Sequence, residues 1–498
     1  MNLLVTGGEY MKNLCEYLLE SAEKYPEQIF VRDGENQYSY QSVCQKVKAY
    51  ASYLVDNCHL QPNDKVVLYV ENSIEYIVAY FAVMWVGGVV VPVNTVNESD
   101  MVRYVAKETE AVLIVVSGKK RQIMKLQCSE FRVLEIKYDS IQDSKSTVSS
   151  KENEEALIIY TSGTTDKPKG VVLSHQNLGS NTHAILKYLP IHEGSNILVT
   201  LSFTYSYGNS ILLTHTKAGG TLYISHESAF PQKILEQLQI PSITAFSTVG
   251  SYLNVLMKQS NFTIDDFASL EYMTFAGEAT SYDALIEIRK KLPNLKLYVM
   301  YGQTEASARI SYLEPALLEI KKGSVGLPVE DTKVKIIDEC GKEVPNGEIG
   351  ELLVRGPGIM QGYYKEPELT SQTVTDGWLH TGDLAYLDNE AYLYIAGRKK
   401  DMIKVKGYRI SPVEIENKIN TISGVVEAAV VEETNEQKET IMAAYVVLSD
   451  REKKIHDIEK EARHMLPVYK RPARWYSVES IPKTLNGKVK RVQLRQKG

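Results

Sequence analysis

The sequence predicts an α/β protein with a large N-terminal part and a small α+β domain at its C-terminal end. Three observations carry this reading. The 498 residues are more than one hydrophobic core organises, so two or more domains are expected. Short apolar runs alternate with amphipathic helical patterns, as parallel sheets covered by crossover helices require. Beyond Gly323 the texture changes to short strands and turns, and past residues 397–401 a helix start, two strands and a further helix suffice for a small domain.

The elements follow in order. The first amphipathic pattern, Leu14, Tyr17, Leu18 and Ala22, begins close to Met11, which is an alternative start to Met1. Lys65-Val-Val-Leu-Tyr-Val, Ala111-Val-Leu-Ile-Val-Val, Ala156-Leu-Ile-Ile-Tyr and Asn196-Ile-Leu-Val-Thr read as core strands. Tyr76 to Val93 carries no charge and approaches the length of a membrane span. Gly87-Gly88 divides it, and Val89-Val-Val-Pro92 reads as a strand. A buried helix, capped by Asn72 with Glu75, a tight turn and a strand therefore describe it better. Asp139 to Glu155 reads as an exposed connector. Leu384-Ala-Tyr-Leu and Ala391-Tyr-Leu-Tyr-Ile flank Asp388-Asn389-Glu390 as a hairpin. Ser411-Pro412-Val-Glu414 has the N-cap, N1 proline and early acid of a helix start. Strands near 425–431 and 443–448 and a helix near 451–466 complete the chain.

Composition excludes several classes. Lys+Arg of 56 against Asp+Glu of 62 gives a net charge of −6, which lacks the basic footprint of a nucleic-acid-binding surface. Five scattered cysteines with no CxxC pair argue against a disulfide scaffold or a cysteine-rich zinc site and point to a reducing compartment, the cytoplasm. The N-terminus lacks the basic start and apolar stretch of a signal peptide. No membrane span is expected.

The most distinctive stretch is Tyr160-Thr-Ser-Gly-Thr-Thr-Asp-Lys-Pro-Lys-Gly170, directly after an apolar strand. Glycine and hydroxyl side chains let a loop wrap an anion so that N–H and O–H groups point inward, and Lys167 and Lys169 add positive charge. The spacing is not that of the Walker pattern. Taken alone, the stretch also fits a flexible surface loop.

Residues 161–170 resemble the phosphate-loop signature of the acyl-adenylate-forming superfamily: acyl- and aryl-CoA synthetases, nonribosomal-peptide adenylation domains and luciferases. Four further segments are similar to the same superfamily in the same order. They are Tyr301-Gly-Gln-Thr-Glu305, Gly377-Trp-Leu-His-Thr-Gly-Asp383, Gly397-Arg398 running to Lys406-Gly-Tyr-Arg-Ile410, and Pro482-Lys-Thr-Leu-Asn-Gly-Lys488. Five ordered matches spread from residue 160 to 488 make the likeness specific, and the chain is closest in type to a stand-alone acyl-CoA synthetase.

The resemblance implies a fold, a division and a set of roles. The N-terminal domain, 1–396, would combine stacked αβ layers with a distorted β-barrel; 397–401 would be a hinge; 402–498 would be a small mobile α+β domain carrying the catalytic lysine. Thr161, Ser162, Gly163, Thr164, Thr165 and Lys169 would hold the ATP phosphates, with Glu305 and Thr304 ligating Mg²⁺, which prefers oxygen donors. Gly277-Glu278-Ala279, Tyr301 and Gly302 would border adenine, and Asp383 and Arg398 the ribose. Lys488 would bridge carboxylate and α-phosphate, offsetting their repulsion in the transition state. Rotation about Lys400 would then exchange Lys488 for the Lys404–Gly407 loop, beside which a pantetheine arm passes.

The acid pocket implied by the likeness comprises Tyr205, Ser206, Tyr207, Asn209, Thr248, Ala276, Val299 and Met300. Leu201 to Leu213 contains no acid that could pair an ammonium, which disfavours an α-amino acid. Tyr205 stands where many acyl-CoA synthetases have a histidine, and Val299-Met300 favours a short, branched or medium acyl group. The implied reaction joins a carboxylic acid to AMP with release of pyrophosphate, then transfers the acyl group to a thiol. CoA is the expected acceptor, because no carrier domain follows Lys488; phosphopantetheine on a separate carrier protein is the second choice. A non-catalytic adenylate-binding protein is a remote third, since Lys169, Glu305, Asp383 and Lys488 are all present. Fatty-acid or secondary metabolism is the implied setting.

Overall fold

The computed structural model describes residues 13–136, 154–161, 168–259, 262–277, 280–405, 408–449, 454–482 and 489–495. Of the connector expected from Asp139 to Glu155, residues 139–153 lie outside them, and Glu155 already begins a strand. The chain divides into two compact units. The first comprises Met1–Lys322, Gly326–Lys333 and Val354–Leu379; the second comprises Gly323–Val325, Val334–Leu353 and His380–Gly498.

Two large sheets build the first unit. One has seven strands in the order Gly362–Tyr363, Lys169–Ser174, Glu155–Thr161, Val89–Pro92, Lys65–Tyr69, Leu113–Val116 and Val133–Glu135. Its central strands are parallel and buried, so they read as runs of valine and isoleucine rather than as alternation. The other has nine strands, with Ala245–Thr248, Tyr272–Phe275 and Lys296–Tyr301 side by side and parallel. Register pairs Thr248 with Phe275 and Phe275 with Val299, so two strands end at one level and the third runs on two residues to Tyr301. Ligands of such sheets gather outside those carboxyl ends.

The uncharged stretch forms the helix Ile74–Trp85, buried at every position but Glu75, a turn at Gly87-Gly88 and the strand Val89–Pro92. A helix apolar all round belongs inside a core. Among the described residues no helix is long and apolar enough to cross a membrane. The cap differs from expectation. Ser73, not Asn72, accepts from the Tyr76 amide at 3.3 Å. Asn72 instead donates to Leu201 O at 2.8 Å and accepts from Phe203 N at 2.9 Å. A half-buried amide that spans a loop satisfies two backbone groups, where a cap satisfies one, and here it pins the segment leading into the helix Ser206–Ala218.

In the second unit the hairpin Trp378–Leu387 with Leu393–Arg398 forms as expected, turning at Asp388. The strand Val425–Thr434 pairs antiparallel with Thr440–Leu448, which pairs parallel with Arg474–Ser477. The helices Pro412–Asn420 and Ile455–Met465 cover this sheet, and Ile403, Ile410, Ile415, Ile419, Val430 and Ile458 share one buried cluster. That core draws only on residues from 403 onward, although the compact unit also takes in the strand Gly350–Arg355 almost to its end.

Candidate active site

The expected phosphate loop begins in one strand of an antiparallel pair and ends in the other. Glu155–Thr161 runs antiparallel to Lys169–Ser174, and Thr161 faces Lys169 across the ladder. Ser162, Gly163, Thr164 and Thr165 lie outside the described residues. Lys169 is half-buried, and no carboxylate among the described residues reaches it within ion-pair distance. Its ammonium stands 5.5 Å from the centre of the Tyr363 ring. The Tyr363 hydroxyl in turn donates to Glu305 Oε1 at 3.0 Å. Pairing of Gly362–Tyr363 with Val171–Val172 sets that ring beside the lysine. One aromatic ring thus joins the phosphate-loop cation to the expected metal-binding carboxylate. Tyr363 escaped the sequence reading because it lies in no matched segment and its role depends on a two-residue strand.

Tyr301-Gly-Gln-Thr-Glu305 forms the turn between the strand Lys296–Tyr301 and the antiparallel strand Ser311–Leu313. Thr304–Ala306 is a single 3₁₀ turn, and Ser307 at φ +62 reverses the chain. A Cβ on Gly302 would lie 1.8 Å from Ala308 O, so only glycine allows this return. Glu305 O accepts from the Met360 amide at 2.9 Å, which fixes the turn against the segment carrying Tyr363. Thr304 Oγ1 donates to Ser206 Oγ at 3.3 Å, joining the motif to the first residue of the helix Ser206–Ala218. For Mg²⁺ the donor chemistry fits. Glu305 and Thr304 present oxygens on one turn, and the carboxylate accepts only the Tyr363 hydroxyl among the described side chains.

On the adenine side, Gly277 follows the strand Tyr272–Phe275 at φ +87, beside Val249. Glu278 and Ala279 are outside the described residues. Tyr301 is half-buried at the end of the adjoining strand.

The expected pocket residues separate into two groups. Tyr207 Oη and Ser247 Oγ each lie 2.7 Å from Thr274 Oγ1, in a chain of hydroxyls over the parallel strands. Burial raises the Tyr207 phenol above its ordinary value, opposed by the nearby Arg309 charge. Ser206, Tyr207 and Met300 gather around the same turn as Thr304 and Arg309. Asn209 does not join them: it is buried and donates to Tyr80 Oη at 2.9 Å. Burial likewise raises Tyr205, whose side chain is hydrogen-bonded to Asn94. Thr248 and Ala276 are buried at the strand ends, and Val299 is half-buried.

The ribose candidates lie in the second unit and bind one another. Asp383 is paired with Arg398 across the hairpin, and Arg398 Nε lies 2.7 Å from Asp383 Oδ1. Thr381 Oγ1 accepts from the Asp383 amide at 3.1 Å and donates to Leu352 O at 2.7 Å. Lys400 lies in the turn after this strand, and Lys404 is exposed on the strand Ile403–Val405. Gly407 and Lys488 are outside the described residues. The Lys490 amide donates to Pro482 O at 2.8 Å. Beyond it, Arg491 forms a buried pair with Glu416, with Nη2 at 3.0 Å from Oε2, and also donates to Val430 O at 2.7 Å.

Lys169 without a carboxylate partner among the described residues, Glu305 and Thr304 on one turn, and hydroxyls over the ends of parallel strands are groups that activation of an acid with a nucleoside triphosphate would use. Comparison with known proteins agrees. Residues 18–364 match the family described as AMP-binding enzyme, and residues 414–488 match its C-terminal domain. A long-chain-fatty-acid–CoA ligase of Yersinia pestis is 30% identical over 533 residues, covering 97% of this chain and 94% of its own. The 4-coumarate–CoA ligase CCL1 of Humulus lupulus is 28% identical, covering 89% and 86%. ATP-bound MatB from Rhodopseudomonas palustris superposes with a TM-score of 0.89 at 26% identity, covering 98% of this chain and 99% of that one. The chain belongs to the AMP-binding enzyme family. It is an ATP-dependent, AMP-forming acid–thiol ligase.

Proposed function

We propose that the thiol acceptor is coenzyme A and that the acid is not an α-amino acid. The observation that supports the acid-activating step is the Lys169–Tyr363–Glu305 arrangement, with Thr304 reaching Ser206 beside the proposed acid site. It supplies charge for the phosphates and a place for the acid on one turn of chain. Lys169, Thr161 and the loop between them grip the β- and γ-phosphates. Mg²⁺, held by Glu305 and Thr304, would neutralise phosphate charge. Lys488 bridges the acid's carboxylate and the α-phosphate, so that a carboxylate oxygen attacks phosphorus and pyrophosphate leaves. The thiolate sulfur then attacks the acyl carbon and AMP leaves.

The two steps need different surroundings, and we assign the exchange to a rotation at Lys400 that replaces Lys488 by the Lys404–Gly407 loop. The separate core of residues from 403 onward supports a body that moves as one. Against an α-amino acid stands the charge of the pocket: Arg309 is buried there, and an ammonium beside it would be repelled. CoA is favoured by the long-chain-fatty-acid–CoA ligases, which are 29–30% identical over 97% of this chain. The reaction belongs in the cytoplasm, where both ATP and CoA are available. Supplying CoA or a phosphopantetheinylated carrier protein to the preformed acyl-adenylate distinguishes the acceptors. Rapid consumption by CoA alone is expected, and consumption by the carrier alone would overturn the assignment.

A further inference from the structure

Arg309 was marked by no motif, and its surroundings are unusual for an arginine. It is 3% exposed, yet no carboxylate among the described residues lies within ion-pair distance. Its N–H groups meet uncharged acceptors: Met300 Sδ at 3.3 Å, Ser210 Oγ at 3.4 Å, Ala308 O at 3.5 Å and the Tyr188 phenol. The Tyr207 ring lies 4.2 Å from the guanidinium carbon. A buried guanidinium without a counter-charge is costly, and one aromatic face offsets only part of that cost. Every nitrogen of the fork already donates, but only to uncharged acceptors at long range, and a planar, bidentate carboxylate in the same plane would replace these contacts with charge-assisted ones.

The backbone beneath it is held on both sides. The Arg309 amide donates to Asn181 Oδ1 at 3.2 Å, and Asn181 Nδ2 donates to Arg309 O at 2.8 Å. Such a clasp preorganises the side chain for a ligand. The helix Ser206–Ala218 gives the distance to the reacting end. Ser206 lies against Thr304, and Ser210, four residues on, lies against Arg309. Four residues of helix rise about 6 Å. We propose that Arg309 anchors a second carboxylate of the substrate, which makes the acid a short dicarboxylic acid of about four to six carbons, from that ~6 Å spacing. The inference rests on the acid-activating reading above and specifies its substrate.

The test is ATP–pyrophosphate exchange with unbranched dicarboxylic acids of four to six carbons, set against their monomethyl esters and against monocarboxylic acids of equal length. The wild type should favour the best diacid over its ester by roughly 30-fold or more in kcat/KM, as expected for a charge-assisted, bidentate contact. Arg309→Met should remove that preference while ester turnover stays within a few-fold, and Arg309→Lys should restore part of it. Equal loss for diacid and ester in Arg309→Met, with ATP binding intact, would mean a structural role and overturn the proposal. If Arg309→Met does not fold, the wild-type ratio decides alone, and a ratio near one overturns the proposal. Exchange with monocarboxylic acids only would remove the diacid and leave acid activation standing. No exchange with any acid would remove both.

Discussion

Replacing Tyr363 by phenylalanine separates two contributions that meet on one ring. The substitution deletes the hydroxyl that donates to Glu305 Oε1 at 3.0 Å and keeps the face beside Lys169 Nζ, 5.5 Å from the ring centre. A hydrogen bond to a charged group contributes about 1.5–3 kcal/mol. Tyr363 is half-buried, so the lower part of that range applies, and kcat/KM for pyrophosphate exchange should fall about 10- to 30-fold. The loss should shrink at high Mg²⁺, because a carboxylate that has lost its orienting donor is still a ligand. Tyr363→Leu removes the ring as well and should cost up to about tenfold more, the scale of a partly desolvated cation–π contact. In a Glu305→Gln background Tyr363→Phe should cost much less than it does alone, since directly bonded groups are coupled. Exchange assays across Mg²⁺ concentration, with a thermal melt for each variant, read all three quantities. A Tyr363→Phe enzyme within twofold of wild type, or full additivity with Glu305→Gln, would refute the reasoning.

Two further outcomes follow. Arg491→Met strips the buried Glu416 carboxylate of its cation and leaves it the Val430 amide at 2.7 Å. Breaking a buried pair costs about 3–5 kcal/mol, so the second unit should melt earlier, and adenylation should fall more than thioester formation from supplied acyl-adenylate. Equal loss in both steps at a temperature where the variant is folded would count against Arg491 as support for the Lys488 segment. The pH dependence of stability has its own source. Burial pulls the imidazoles of His175 and His215 down to about 4. Unfolded, each titrates near about 6.5, so the unfolded state binds more protons between the two values. Their stabilisation is complete above pH 6.5 and is lost as pH falls toward 4. The melting temperature should drop from pH 7.5 to 5.5, and less steeply in a His175→Gln, His215→Gln double variant; equal slopes would contradict this origin.

Much of the fold was legible because its signals are local. Valine-rich core strands, the Gly87-Gly88 turn and the Pro412 helix start each follow from residues within one turn of one another. The Tyr301–Glu305 turn was legible for a second reason: Gly302 serves a close approach that other residues cannot. Long-range choices were not legible. Asn72 looks like a cap in sequence, but backbone carbonyl and amide groups 129 and 131 positions away compete for its side chain. Asn209 sits among pocket candidates, yet helical phase turns it to Tyr80. Tyr363 and Arg309 acquire meaning only when a two-residue strand and a chain reversal bring them beside Lys169 and Ser210.

The central claim is that acid activation occurs on this chain and depends on Lys488. The direct measurement is acid-dependent ATP–pyrophosphate exchange in wild type and Lys488→Ala, with thioester formation from supplied acyl-adenylate measured alongside. Loss of exchange by about a hundredfold or more, with thioester formation largely spared, is the expected result for removing one charge-assisted transition-state contact. Exchange that survives the substitution, or equal loss of both steps, would contradict it.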